Sequence, residues 1–152
     1  MHPDVTRVLI VDDWQWRHDR IKRVVCGLPG LTFEFRHRYA PSQVSDDDWR
    51  WAQFVFLDHD MCLAPFGMPC PSNTDTYPES CRCPTGVDAV RALVRSNSHP
   101  WCVVHSANPA GGANMTRILL DHGYRAVNSP VHTWAGIAPA ALHRLWGLQP
   151  AI

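Results

Sequence analysis

Three apolar runs of strand length each stop on titratable residues. Val8-Leu9-Ile10-Val11 stops on Asp12-Asp13, Phe54-Val55-Phe56-Leu57 on Asp58-His59-Asp60, and Trp101-Cys102-Val103-Val104 on His105-Ser106. Continuously apolar strands suit a sheet covered on both faces. In an open α/β sheet, ligands bind just beyond the carboxyl ends of the strands. Three strands that end in this way predict one shared site.

The rest of the chain alternates strand and helix periods. Residues 7–11 read as the first strand, and residues 14–26 as a helix with Trp14, Ile21, Val24 and Val25 on one face. Leu31 to Arg36 alternate as a more exposed second strand after the Pro29-Gly30 turn. Residues 41–51 read as a weak helix, and 53–57 as the third strand. A stretch rich in Pro, Ser and Cys follows, far longer than the usual strand-to-helix loop. Thr85 and Asp88 have capping-box spacing for a helix buried through Val87, Val90 and Val94. Residues 101–105 form the fourth strand. Asn108-Pro109 is an N-cap followed by proline at the first helical position, and the helix over 110–122 packs through Met115, Ile118 and Leu119. Residues 124–127 are a short fifth strand, and 134–146 a last helix. Five strands alternating with five helices imply a parallel α/β sheet with right-handed crossovers. A flavodoxin-like order, 2-1-3-4-5, sets the ends of strands 1, 3 and 4 side by side.

A chain of 152 residues, 45% hydrophobic, predicts a single domain over 1–152 with a loop inserted at about 61–84. Fourteen Lys and Arg balance fourteen Asp and Glu, so charge gives no case for a membrane or duplex-DNA surface. No run approaches the ~20 apolar residues of a membrane span. The start of the chain, close to the first strand, leaves no room for a signal peptide. The expected location is cytoplasmic.

The strand ends Val11-Asp12-Asp13 and Leu57-Asp58-His59-Asp60 resemble those of a response-regulator receiver domain. The resemblance implies that the acidic pair holds a divalent cation and that Asp58 accepts a phosphoryl group, with Ser106 as the hydroxyl residue at the end of strand four. Receivers carry a lysine at the end of strand five. Here that end reads Val127-Asn128-Ser129-Pro130, and no lysine follows Lys22. His59 after Asp58 and His105 before Ser106 are further departures. Leu-Asp-His-Asp together with His-Ser-x-Asn is similar to a divergent branch, the cyclic-phosphate processing receiver domains. That similarity implies a cyclic nucleotide or an RNA terminal cyclic phosphate as substrate.

On this reading His59 and His105 divide the base and acid roles of a cyclic phosphoesterase, with Asp58 beside them. Ser106, Asn108 and the free amides at the next helix start face the phosphoryl oxygens. Trp14 either stacks on a base or packs in the core, and Arg17 either reaches a phosphate or lies on a solvated helix face. Asp12, Asp13 and Asp58 supply oxygen ligands for Mg²⁺ or Mn²⁺. Two alternatives stand beside the hydrolase: a stand-alone receiver switched at Asp58, and a module that only binds a ligand or protein.

Cys26 and Cys102, inside apolar stretches, read as small buried hydrophobes. Cys62, Cys70, Cys81 and Cys83 crowd into the inserted loop. As thiolates they would make a tetrahedral structural Zn²⁺ site that orders a loop with little apolar content. Free or disulfide-forming cysteines are the other reading.

Overall fold

A computed structural model of the chain describes residues 5–28, 30–61 and 84–134, together with Arg144 and Trp146. The elements in order are β1 (Val5–Val11), α1 (Gln15–Cys26), β2 (Thr32–Arg38), a 3₁₀ turn (Pro41–Gln43) and α2 (Asp46–Trp51). β3 (Phe54–Leu57), α3 (Gly86–Ser96), β4 (Trp101–Val104), α4 (Pro109–Asp121), β5 (Ala126–Asn128) and a second 3₁₀ turn (Val131–Trp134) follow. All strand pairs are parallel, and the order is β2-β1-β3-β4-β5. This is the doubly wound five-stranded fold that the alternating periods predict.

Strand alternation divides the apolar residues between two cores. Leu9, Val11, Val55, Leu57, Cys102 and Val104 face α3 and α4, with Ala89, Val90, Leu93, Met115 and Leu119 against them. Val8, Ile10, Phe56 and Val103 face the other way, onto Ile21 and Val25 of α1 and the indoles of Trp134 and Trp146.

Register and alternation together fix the site. Val11 pairs with Leu57, and Leu57 pairs with Val104. The next residues, Asp12, Asp58 and His105, therefore stand in one row across three neighbouring strands. The backbone ladder continues through them: Asp58 N–H donates to Val11 C=O at 3.1 Å and His105 N–H to Leu57 C=O at 3.0 Å. Val11, Leu57 and Val104 all face α3 and α4, so the residues after them face α1. The His105 ring accordingly lies 6.4 Å from Phe56 and 6.3 Å from Trp134, centroid to centroid.

Several local expectations need correction. Trp14 is the N-cap of α1, 47% exposed, and not part of its buried face. That face is His18, Ile21 and Val25. His18 tolerates burial because Nε2 meets Asp12 C=O at 2.6 Å and Nδ1 meets His37 Nδ1 at 2.8 Å. Burial lowers its pKa to about 4, so the neutral ring donates from Nε2 and accepts at Nδ1. Cys102 is buried, but Cys26 is exposed on the last turn of α1. The weak helix over 41–51 is a 3₁₀ turn and a separate α2, started by a capping box between Ser45 and Asp48. The last helix expected over 134–146 falls almost wholly outside the described residues, as do Cys62, Cys70, Cys81 and Cys83. Among the described residues, no helix is long and apolar enough to cross a membrane.

Candidate functional site

The centre of the site is a buried acidic row with one guanidinium laid across it. Arg17 leaves the first turn of α1, where its N–H bonds back to Trp14 C=O at 3.1 Å. Its Nε donates to Asp12 Oδ1 at 2.9 Å, and its Nη2 to Asp13 Oδ1 at 2.9 Å and Asp58 Oδ2 at 2.8 Å. The Arg17 side chain is 12% exposed, while those of Asp12 and Asp58 are 0% and 1%. Arg17 is therefore not on a solvated helix face. It is the resident counter-charge of the pocket.

One guanidinium does not satisfy three carboxylates. Asp12 Oδ2 and Asp58 Oδ1 are buried without a hydrogen bond, as are both ring nitrogens of His105. Arg17 Nε lies 2.7 Å from Asp12 Oδ2, but its hydrogen is directed to Oδ1, so that contact is Coulombic only. The titration of these groups reflects the imbalance. Burial, then the neighbouring Asp58 charge, raises the pKa of Asp12, with Arg17 opposing. Burial also raises that of Asp58; Arg17 opposes, and Asp60 and Asp13 add to the rise. Asp13 is raised chiefly by burial. His105 is lowered to about 3 by burial and the adjacent Arg17, so its ring is neutral.

The other residues singled out from the sequence occupy a rim around this row. His59 places Nδ1 2.7 Å from Asp60 Oδ1, and its ring lies against the first turn of α4. A Cβ at Gly111 would come within 2.4 Å of that ring, which is why the position is glycine. Ser106 Oγ accepts from Asn108 N–H at 3.0 Å, and Asn108 Oδ1 accepts from Gly111 N–H at 2.9 Å. Both side chains thus serve the start of α4 as caps. The start of α3 presses on the acidic row from the other side. Gly86 N–H donates to His59 C=O at 2.8 Å, and a Cβ there would meet Asp58 C=O at 2.0 Å.

His59 and His105, expected to divide the acid and base roles, lie at different depths. His59 is on the rim, half-buried, and His105 is fully buried in the row beside Asp12, with Nε2 3.6 Å from Asp12 Oδ2. At the end of β5, the place of the receiver lysine, Ser129 Oγ accepts from the indoles of Trp134 at 2.9 Å and Trp146 at 3.2 Å. That corner is apolar and filled.

Reading the sequence missed the pairing of His18 with His37 and, for Arg17, the bonds to Asp12, Asp13 and Asp58. The Asp13/Arg17 spacing of i,i+4 was the available signal for Arg17.

By sequence, the chain matches no protein-family model and no curated protein. By structure, it is similar to response-regulator receiver domains. The response-regulator domain of CheB from Thermotoga maritima aligns at a TM-score of 0.59 and 14% identity, over 96% of this chain and 99% of that one. A CheY-like receiver domain protein from Methanospirillum hungatei aligns at 0.57 and 12%, over 93% and 90%. The isolated receiver domain of RcsB from Salmonella enterica serovar Typhimurium, in the presence of the phosphomimetic BeF₃⁻, aligns at 0.55 and 15%, over 93% and 85%. The fold is that of a CheY-like receiver.

These likenesses correct the hydrolase expectation. These three solved structures are receiver domains, not phosphoesterases, and they give no support to a zinc protein. The cysteines of the expected zinc site, Cys62, Cys70, Cys81 and Cys83, lie outside the described residues.

Proposed function

We propose that this chain is a receiver-type signalling module in which Asp58 accepts a phosphoryl group and Arg17 acts as the positive partner at that carboxylate. One observation carries the reading: Asp58 Oδ2 is held by Arg17 at 2.8 Å while Oδ1 is left without a partner, in a row with Asp12. The lysine position at the end of β5 is Ser129, sealed by two indoles. Its cationic task passes from the end of β5 to a side chain of α1.

In the transfer, Asp58 Oδ2, uncovered as Arg17 swings aside, attacks the phosphorus of a small phosphodonor, and Oδ1 is left to a cation. An acyl phosphate forms at Asp58 as the donor's leaving group departs. Arg17 holds the carboxylate in its ionised form against the effect of burial. It also faces the charge added by the incoming phosphoryl oxygens. The receiver likeness implies a divalent cation here, and the orphaned buried oxygens of Asp12 and Asp58 fit one. Such an ion would neutralise charge on the phosphoryl group. Asp58 is 1% exposed, so Arg17 must swing aside for the donor to enter.

Intact-mass spectrometry after incubation with acetyl phosphate or phosphoramidate and Mg²⁺ tests this. The expected result is the gain of one acid-labile phosphoryl group, absent from Asp58→Asn. No mass gain with either donor would overturn the acceptor reading.

A further inference from the structure

The atoms that Arg17 leaves unsatisfied are not a random remainder. Asp12 Oδ2, Asp58 Oδ1 and a His105 ring nitrogen are all buried, and each of these three residues offers a ligand atom within 4.8 Å of the others. The His105 Nε2 to Asp12 Oδ2 distance, 3.6 Å, is too long for a hydrogen bond. It suits two atoms that each bind one ion at about 2.0–2.2 Å. His105 is wholly buried with neither nitrogen engaged, an expensive arrangement for a polar ring unless something occupies its lone pair.

We infer that Asp12, Asp58 and His105 form a mixed nitrogen and oxygen site for a divalent first-row transition ion of the Mn²⁺ class. Charge supports the valence. Asp12, Asp13 and Asp58 carry three negative charges when ionised and Arg17 returns one, which leaves a deficit of two. The ligand set supports the class. Mg²⁺ and Ca²⁺ take oxygen, whereas an imidazole nitrogen favours transition metals. A His105 ring nitrogen without a hydrogen bond has a lone pair to give, and the ladder bond from its N–H to Leu57 C=O fixes the backbone that carries the ring. Arg17 donates its hydrogen bonds to Asp12 Oδ1 and Asp58 Oδ2 and leaves Asp12 Oδ2 and Asp58 Oδ1 for the ion. Its Nε also lies 2.7 Å from Asp12 Oδ2 and must move back as the ion enters.

The inference goes beyond the acceptor reading, since it requires no phosphoryl transfer. Mn²⁺ is the probe, because it is paramagnetic and prefers oxygen and nitrogen to thiolates. Titration of the full chain, followed by electron paramagnetic resonance, should show one saturable Mn²⁺ site. Pulsed measurements on the loaded wild type should show ¹⁴N modulation from a directly bound imidazole. His105→Asn should abolish the modulation and weaken Mn²⁺ by roughly tenfold or more, with Mg²⁺ binding little changed. His59→Ala should leave the modulation intact. If His105→Asn does not fold, Asp58→Asn must release the ion in its place. Saturable Mn²⁺ without ¹⁴N modulation, modulation that survives the loss of His105, or no Mn²⁺ site at all would each overturn the inference. The wild-type spectrum is read without phosphodonor, so its outcome is separate from that of the Asp58 mass measurement.

Discussion

Two buried clusters of aspartate and arginine lie within this small fold, and they are balanced in opposite ways. Between β2 and α2, the single carboxylate of Asp48 is gripped by two guanidiniums. Arg36 Nη1 donates at 3.0 Å, Arg38 Nε and Nη2 at 2.9 and 2.7 Å, and Ser45 N–H at 3.0 Å. Burial opposes the Asp48 charge, but the hydrogen bonds from Ser45, Arg38 and Arg36 outweigh it, and its pKa is lowered. At the strand ends, three carboxylates share one guanidinium, and all three pKa values are raised. The chemistry of the pairs is the same. What separates a structural clamp from a candidate site is whether every buried oxygen has found its donor. Unsatisfied, charge-deficient clusters with shifted titration are where function concentrates.

The largest way to break the contrast is to remove the clamp. Asp48→Ala leaves Arg36 and Arg38 without their buried partner and α2 without its capping box. A loss of about 1–3 kcal/mol is expected, read from urea denaturation at neutral pH. A loss within the range of ordinary surface substitutions would show that the clamp contributes little.

The same kind of change in the pocket should have the opposite sign. Asp12 has a folded pKa above its ordinary value of 3.8, so the folded state holds protons more tightly than the unfolded one. Its contribution to stability is therefore present at low pH and is lost as pH rises from about 3.8 towards neutrality and beyond. Asp12→Asn removes that loss and should raise stability near pH 8 by ~1–2 kcal/mol relative to wild type in metal-free buffer, with little difference near pH 4. Thermal melts across that range check it. Asp48 runs the other way, since its lowered pKa means that its contribution is lost as pH falls.

The smallest expected effect is Ser45→Ala. It deletes the Oγ that accepts from Asp48 N–H at 3.1 Å and should cost ~1 kcal/mol, without moving the titration of the pocket. A shift in the Asp58 titration in that variant would show that the two clusters are coupled.

The sequence made the row legible and left its counter-charge hidden. Asp12, Asp58 and His105 could be placed together because parallel register and strand alternation act on every residue alike. Two apolar runs that stop at equivalent heights bring their next residues side by side. The role of Arg17 was harder to read, because it depends on which residues of α1 are buried. The core side of that helix includes His18, which counts as polar in any hydropathy pattern, and omits Trp14, which counts as apolar. The misassigned face left Arg17 open between a phosphate contact and a solvated helix face. Cys26 failed for the same reason: an apolar neighbourhood in sequence became the exposed side of a last turn. The paired histidines of the site were visible as residues, but their unequal depth was not. His105 continues the row, whereas His59 follows Asp58 on the rim against Gly111.

The most direct measurement is a carboxyl ¹³C NMR titration of Asp12, Asp58 and Asp48 in metal-free protein. Asp12 and Asp58 are expected to titrate above the ordinary value of 3.8 and Asp48 below it. Values for Asp12 and Asp58 at or below 3.8 would mean that Arg17 alone balances the row. The strand-end cluster would then be a closed structural ion pair like that of Asp48, and its reading as an acceptor and cation site would be contradicted.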